Sequence, residues 1–583
     1  MHIVLALWRA RITWFWPIWA TITVAAAICV ARVVGCAASS EHPKSEQSFV
    51  SRNRRIVWSR GAVTALTLLG AFLIFYAALT LKWEAFTYSD NSMFTLNTLR
   101  GHDISPEISR ATGRFYPLGE QEFNLVRHLT ATVAGYHALP IIELLILAGV
   151  LLLLDDELSI TQRTVLTIIV LATPAIVISF TGLIYEERNV LLCLALLVFF
   201  VKRFDETQVT AWAVAAAVCA QIMIYYKETA FLLLLGFALG RLVLRCVRQD
   251  QPGFDYRMLR TKQSRLDLCL ASQAVLFLLY YITIMFPRMS MQYADQQRLP
   301  LQRVFLAYMK VDILAWLFVA FVLARFYFIF RRRVSASPLW DGLALGGAAC
   351  FASYLGLRMQ SAYYMAPVDL IAVLYLGRLA FLSRRNTHSL VGAIGLIVVA
   401  IVLLQDVSLS TFRMYERKNV VHEKAEIASA IKMSFHSDTA NPQRIFFPFA
   451  SPYRVMEFAS YLSYLGLPVE GSLAETPASG KVVLVDRASQ KDGLCVEYQK
   501  FVCHAGAAPE PGDLVVILPD DDASLAELAL FRHPGNLLFS FEPRPTIPQW
   551  LNPYFRRLHV VSYAFPQKPL PDRWLNASVT TWN

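Results

Sequence analysis

The chain has 583 residues, of which 56% are hydrophobic and only 17% are charged, and its formal net charge is +11. Soluble globular proteins carry about 25% charged residues, so this composition excludes an ordinary soluble enzyme. The basic excess does not indicate nucleic-acid binding. Lys and Arg lie mostly in short loops between apolar runs, where a membrane protein carries its orientation signals.

Apolar runs recur along the first 405 residues, and each approaches the ~20 residues that cross ~30 Å of hydrocarbon. Twelve such runs lie at residues 12–33, 61–82, 138–155, 162–183, 188–203, 208–225, 228–246, 267–287, 311–330, 339–357, 365–382 and 388–405. The sequence therefore predicts an all-α polytopic membrane bundle of about 11–12 transmembrane helices.

Basic loops set the predicted orientation of the bundle. They comprise residues 37–60, residues 246–266, Arg331–Arg333, and Arg384 with Arg385. Twelve spans place these loops on one side, and the positive-inside rule makes that side cytoplasmic. The long loop 83–137 and everything after residue 405 are then expected on the outer face of a bacterial inner (plasma) membrane.

Three regions follow from this topology. Residues 1–60 are predicted to form a membrane anchor and a cytoplasmic basic loop, residues 61–405 a transmembrane domain that includes the outer loop 83–137, and residues 406–583 a soluble periplasmic domain. No Gly-rich phosphate loop of the Walker or Rossmann type occurs in the sequence, which disfavours nucleotide-driven chemistry inside the cell.

The soluble tail has the pattern of a small α/β domain. Short β-like runs at residues 444–447, 481–485 and 514–518 alternate with helical stretches near 453–465 and 523–531. Such alternation is typical of α/β folds. Cys495 and Cys503 are expected to close a hairpin-like disulfide if the tail lies in an oxidising compartment.

Charged and aromatic residues gather where the predicted spans end on the outer face. Asp90 follows the second span by a few residues, within Tyr88–Phe94, so its carboxylate is expected at a fixed depth near the membrane surface. Ionisable residues at membrane depth are costly and tend to mark sites or pathways. The other candidates are Arg114, Tyr116, Glu186, Glu187, Arg188, Lys227, Glu228, Lys310, Arg358, Tyr363 and Tyr364.

This layout suits a lipid-phosphate-linked sugar as substrate. The polyprenyl tail would lie among the helices, and Lys or Arg would bind the phosphate. A carboxylate would then act as general base on an acceptor hydroxyl that attacks the anomeric carbon. A divalent cation, Mg²⁺ or Mn²⁺, is compatible with this chemistry.

The sequence resembles the glycosyltransferase C superfamily, the polyprenyl-phosphate-sugar-dependent membrane glycosyltransferases that include protein mannosyltransferase and aminoarabinose transferase types. The resemblance lies in Tyr88–Phe94, in Tyr185-Glu186-Glu187-Arg188-Asn189, in the helix count and in the soluble outer domain. It implies that Asp90 is the catalytic base and that Glu186 or Glu187 is a helper or a metal ligand. The acceptor would be an envelope glycan, a lipid or a protein.

Three other classes of function remain open at this level. A transporter or flippase for lipid-linked saccharides would show midplane charges or broken helices in matched halves, whereas the charges here lie at span ends. An envelope-polysaccharide polymerase or ligase would also use basic residues of the outer loops on a lipid phosphate. A non-catalytic membrane scaffold is the remaining alternative.

Overall fold

The computed structural model of the protein describes residues 60–83, 94, 98, 101, 103–109, 113–247, 255–285, 300–331, 334–359, 361–383, 421–422, 424–435, 443–449, 452–469, 482–486, 503–505, 508–518, 537–541 and 577–581. The predicted spans 12–33 and 388–405, the candidate base Asp90, the helical stretch 523–531 and Cys495 lie outside the described residues.

Helices, most of them long, make up most of the described chain up to residue 383. They are α1 (Arg60–Leu81), α2 (Gln121–Val126), α3 (Val133–Leu154), α4 (Ile160–Leu171), α5 (Pro174–Thr181), α6 (Glu187–Thr207), α7 (Thr210–Tyr226), α8 (Ala230–Cys246), α9 (Lys262–Tyr280), α10 (Leu301–Val311), α11 (Ile313–Phe330), α12 (Pro338–Gly356) and α13 (Ala366–Ser383). Each predicted span between residues 61 and 382 corresponds to one of these helices or to a bent pair of them.

The predicted span 162–183 is not one straight helix, which corrects the sequence interpretation. Helices α4 and α5 meet at an angle of 66°. Pro174 is the cause, because proline disfavours the helical conformation in the residue before it and fits the first turn of a new helix. Thr173 is accordingly extended, with φ −69° and ψ 143°, and α5 begins at Pro174.

Four helices of the described chain are long and apolar enough to cross a membrane, or five if the bent pair counts as one span. They are Arg60–Leu81, Val133–Leu154, Lys262–Met285 and Ala362–Leu382, and two further apolar helices, Thr210–Tyr226 and Leu314–Phe330, are shorter. The predicted class, a helical membrane bundle with a C-terminal α/β domain, is confirmed, and the protein is a multi-pass membrane protein.

Helices α8 and α12 pack with their backbones in contact. Gly236 and Gly240 on α8 face Gly346 and Gly342 on α12, and a Cβ atom added at Gly346 would lie 2.7 Å from the Leu233 carbonyl oxygen. Both pairs have the small-xxx-small spacing that allows close approach of membrane helices. The sequence interpretation did not use these glycines.

Ion pairs buried between helices join the ends of the bundle that point away from the C-terminal domain. Asp267 on α9 is fully buried and accepts from Arg241 at 2.6 Å and from Arg245 at 3.0 Å. Asp205 on α6 contacts the same two guanidinium groups at 3.0 and 2.8 Å. These contacts tie α6, α8 and α9 together.

Two further inner ion pairs extend the pattern to the other helices. Asp341 on α12 accepts from Arg325 at 2.6 Å and from the Tyr375 hydroxyl at 2.5 Å. Arg378 on α13 donates to Asp155 at 2.8 Å and thereby links α13 to the end of α3. The acidic turn after α3 is therefore held by a partner more than 200 residues away in sequence.

Asp267→Asn is expected to lower the free energy of unfolding by about 3–5 kcal/mol, because the substitution leaves buried guanidinium charge without its partner. Asp156→Asn is the matched control. Asp156 pairs with Lys202 but is 65% exposed, and such pairs contribute about 0–1 kcal/mol. Thermal unfolding in detergent compares the two, and equal effects would contradict the prediction.

The C-terminal domain contains a six-stranded mixed sheet in the order β5-β4-β3-β6-β8-β7. Its strands are β3 (Gln443–Phe447), β4 (Val482–Asp486), β5 (Cys503–Ala505), β6 (Leu514–Ile517), β7 (Leu537–Phe541) and β8 (Ala577–Thr581). β3 to β6 pair in parallel, whereas β8 runs antiparallel to both of its neighbours. The predicted strands at 444–447, 481–485 and 514–518 and the helix near 453–465, here α14 (Pro452–Tyr464), are confirmed.

One hydrophobic core joins this domain to the loop between α1 and α3. Ile104 and Phe123 of the loop belong to the same buried cluster as Ile445 and Phe458 of the domain. The loop also forms a small antiparallel hairpin of β1 (Glu107–Ser109) and β2 (Arg114–Tyr116). The loop and the C-terminal domain therefore lie at the same end of the bundle, as the predicted topology requires.

Candidate functional site

Four chain segments meet at the domain-facing end of the bundle. They are residues 113–120, which include β2, residues 182–187 at the start of α6, the turn 227–229 between α7 and α8, and the short helix 362–365 before α13. The backbone N–H of Leu118 donates to the Tyr225 carbonyl at 3.2 Å. These contacts bring five of the predicted site residues together.

Those five residues form what we call the Lys227 cluster, which is defined as Tyr116, Glu186, Glu187, Lys227 and Tyr364. The Lys227 Nζ lies 3.4 Å from Glu186 Oε2 and 3.2 Å from Glu187 Oε1. It also lies over the rings of Tyr116 and Tyr364, at 5.1 and 5.7 Å from their centroids. One cation is thus surrounded by two carboxylates and two aromatic faces, which attract it electrostatically.

Lys227 keeps its charge in this cluster. Burial by itself lowers the pKa of Lys227, but the Glu186 and Glu187 carboxylates outweigh burial and hold that pKa well above its usual value. A lysine of this kind carries a positive charge over the whole physiological pH range. It is a point charge suited to binding a phosphate.

The Glu187 carboxylate is incompletely satisfied. Its side chain is 1% exposed, and within the described residues neither oxygen accepts a hydrogen bond of ordinary geometry, although the Lys227 ammonium lies close. A buried acceptor without a full set of donors is costly. Carboxylate oxygens in this state are suited to accept hydrogen bonds from the hydroxyl groups of a sugar.

Tyrosines form a wall beside the cluster. Tyr364 stacks on Tyr354 with ring centroids 4.8 Å apart and planes 7° from parallel. Tyr363 contacts both Tyr364 and Tyr185, at 4.5 Å in each case. The Tyr354 and Thr229 hydroxyls lie 2.8 Å apart, which ties this wall to the start of α8.

The remaining predicted residues lie in different places. The Arg114 guanidinium lies over the Tyr116 ring at 5.5 Å, beside the cluster. Glu228 follows Lys227, and its Oε2 atom is buried. Arg358 is exposed in the turn after α12, with φ +56°. Lys310 lies in α10, but its side chain, like the whole of Asp90, is outside the described part of the chain.

Arg188 is turned away from Lys227 and is 1% exposed. Its guanidinium binds Glu143 of α3 at 2.9 Å and also Glu122 of α2. Neither Glu122 nor Glu143 was among the site residues predicted from the sequence. Glu143 was hidden inside an apolar run, where a lone carboxylate is itself a signal of function or pairing.

A divalent cation does not fit the residues that the structure describes. Among them no three His, Cys, Asp or Glu side chains converge as a ligand set. The space between Glu186 and Glu187 is taken by the Lys227 ammonium. No step of the chemistry is therefore assigned to a metal.

Comparison with known proteins gives a structural likeness. No protein-family model matches the chain, and no curated protein matches it. Among solved structures, it is similar to ArnT from Cupriavidus metallidurans bound to undecaprenyl phosphate, with 13% identity over 89% of this chain and 98% of that chain and a TM-score of 0.42. For the apo state of that ArnT, the identity is 14% over 80% and 94%, with a TM-score of 0.41.

The chain is thus similar in structure to ArnT over most of its length, at low sequence identity. A likeness at this identity and TM-score assigns neither chemistry nor site residues to this chain. The function has to be judged from the residues of the site.

Proposed function

We propose that this protein is a membrane glycosyltransferase that moves a sugar from a polyprenyl-phosphate donor to an envelope glycan, lipid or protein acceptor at the outer face of the inner membrane. The observation that carries the proposal is the Lys227 cluster: a permanently charged lysine flanked by Glu186 and Glu187 and by tyrosine rings at one end of an apolar bundle.

Lys227 is the proposed ligand of the donor phosphate. Its ammonium is the one group of the cluster that attracts an anion, and the Arg114 guanidinium lies near the same Tyr116 ring. As the bond to the sugar breaks, negative charge grows on the lipid phosphate. A fixed ammonium at that point stabilises the transition state more than the ground state.

Glu186 and Glu187 are the proposed ligands of sugar hydroxyls, and Asp90 is the proposed general base. The acceptor oxygen forms a bond to the anomeric carbon while the bond from that carbon to the phosphate oxygen breaks. The acceptor proton passes to the Asp90 carboxylate, and the polyprenyl phosphate departs as the leaving group. Tyr363 supplies ring surface on which a pyranose can lie, and Tyr364, which is buried and stacked on Tyr354, packs behind it.

The outer-face assignment rests on charge and shared position. The Lys227 cluster and the C-terminal domain lie at one end of the bundle, while the basic loops that predict the cytoplasmic side follow the opposite helix ends. A transporter of lipid-linked saccharides would bind the same ligand but would release no covalent product. A polymerase or ligase remains within the same reaction class.

Lys227→Met is expected to weaken the binding of undecaprenyl phosphate by roughly tenfold to a hundredfold, which is the loss of one charge-assisted contact. Binding is measured on purified protein in nanodiscs. Because Lys227→Met leaves two buried carboxylates unpaired, Lys227→Met combined with Glu187→Gln is measured in parallel. Lys227→Arg should retain most of the affinity.

The matched control is Lys202→Met, because Lys202 is also mostly buried and acid-paired but lies at the opposite end of the bundle. Its binding should equal that of the unmodified protein. Undiminished binding in both Lys227→Met variants, or equal losses in Lys202→Met, would rule out Lys227 as the phosphate ligand.

A further inference from the structure

We infer that Arg188 is a positioning residue that fastens the loop between α1 and α3 to the turn carrying Glu186 and Glu187, and that Glu122 is its partner in that loop. The inference rests on the proposed function and extends it. It concerns how the acids of the Lys227 cluster are held in place rather than which group binds substrate.

The contacts of Arg188 account for its whole guanidinium. Nε donates to Glu143 at 2.9 Å, and Nη2 donates to Glu122. Nη1 points at the turn itself, where it donates to the Leu183 carbonyl and, at 3.3 Å, to the Tyr185 carbonyl. The guanidinium carbon, Cζ, also lies 4.9 Å from the centroid of the Phe123 ring.

These contacts join three separate parts of the chain. Glu143 belongs to α3, Glu122 and Phe123 belong to α2 in the loop, and Leu183 and Tyr185 belong to the turn that leads directly into Glu186. The planar guanidinium has donors on both of its edges and can bind all three parts at once, whereas the compact ammonium of a lysine cannot. Asn189 reinforces the junction, since its Nδ2 donates to Glu122 at 2.8 Å.

The protein partners of Arg188 separate this role from substrate binding, because each of its three guanidinium nitrogens already donates to a carboxylate or a backbone carbonyl of the chain. The side chain is 1% exposed, and Glu122 is 13% exposed. A substrate phosphate would have to displace protein carboxylates to reach the guanidinium. The contacts instead fix the direction in which α6 begins, and α6 begins with Glu187.

The test is hydrogen exchange of the full chain in nanodiscs, read at the backbone amides of residues 182–187. Glu122→Ala removes a partner that is about 60 residues distant in sequence, and exchange in the turn is expected to accelerate roughly tenfold to a hundredfold. Glu122→Gln keeps an acceptor oxygen for Arg188 and Asn189 and should restore protection. Exchange in α12 should not change.

Asp103→Asn is the matched control. Asp103 lies in the same loop and binds Arg127 at 2.6 Å, but it is 60% exposed and the pair does not reach the turn. If Glu122→Ala does not fold, Arg188→Lys is used instead, because it keeps the charge but cannot span Glu122 and Glu143 together. Unchanged exchange at residues 182–187 in the folded variant would overturn the inference.

A second readout separates positioning from general stability. In the transfer assay, Glu122→Ala should lower kcat about tenfold while the donor KM changes by less than about twofold, because Lys227 still binds the phosphate. Equal losses in kcat and in affinity would contradict a positioning role. The exchange result does not depend on any enzymatic activity, so failure of the proposed function and failure of this inference are distinguishable.

Discussion

Asp90→Asn is expected to abolish detectable sugar transfer from a polyprenyl-phosphate donor, with a loss of roughly a hundredfold to ten-thousandfold, the range that general bases contribute. The amide of asparagine has the size of the carboxylate but cannot take the acceptor proton. The measurement is the formation of glycosylated acceptor by purified protein in nanodiscs. Binding of undecaprenyl phosphate should be retained, because that contact is assigned to Lys227.

Asp103→Asn in the same loop is the control and should leave transfer unchanged, because Asp103 is an exposed partner of Arg127. Glu187→Gln provides a second comparison, because it removes the charge of a residue proposed to bind sugar hydroxyls and leaves the proposed general base, Asp90, in place. Full activity of Asp90→Asn would remove Asp90 from the mechanism. Translocation of the lipid-linked sugar with no covalent product in the unmodified protein would replace the transferase by a transporter.

Gly346→Leu is expected to prevent the bundle from folding. The added Cβ would lie 2.7 Å from the Leu233 carbonyl oxygen, and backbone cannot move aside as a flexible side chain does. The rest of the leucine would force α8 and α12 apart where their backbones touch. Gly346→Ala, which adds only the Cβ, should lower the free energy of unfolding by about 1–3 kcal/mol. Size-exclusion profiles and thermal unfolding in detergent report both effects.

Gly149→Leu is the matched control for this substitution. Gly149 also lies within a long membrane helix, α3, but nothing lies within 4 Å of a Cβ atom added there. The added leucine would meet lipid and should leave folding intact. A folded, monodisperse Gly346→Leu protein would show that the close approach of α8 and α12 is not required.

The helical part of the fold could be predicted from the sequence, because membrane-spanning helices are recognised by their uninterrupted apolar runs. Every predicted span within the described residues coincides with helix, and the strands around Ile445, Leu484 and Val515 were also predicted. The bend at Thr173 was not predicted, although Pro174 is a signal for it. Hydropathy is averaged over a window of residues and is therefore insensitive to the backbone constraint of a single proline.

The site was only partly accessible. Glu186, Glu187 and Lys227 were predicted because they interrupt apolar sequence at turns on one face. Glu122 and Glu143 were not, because what matters about them is their contact with Arg188, more than 40 residues away in sequence from either. The same limit applies to Asp155, which the fold pairs with Arg378, a residue more than 200 positions away in sequence.

The backbone contact between α8 and α12 has a mechanical consequence. Where two helices touch through glycines, no side chain lies between their backbones to adjust its rotamer, so the two helices move as one rigid unit. This unit carries Lys227 and Thr229 just before α8 and Tyr354 near the end of α12. The acids are mounted separately, on α6. The cation and its two carboxylates are therefore held by two separately anchored parts of the bundle, and their spacing depends on how α6 packs against α8 and α12.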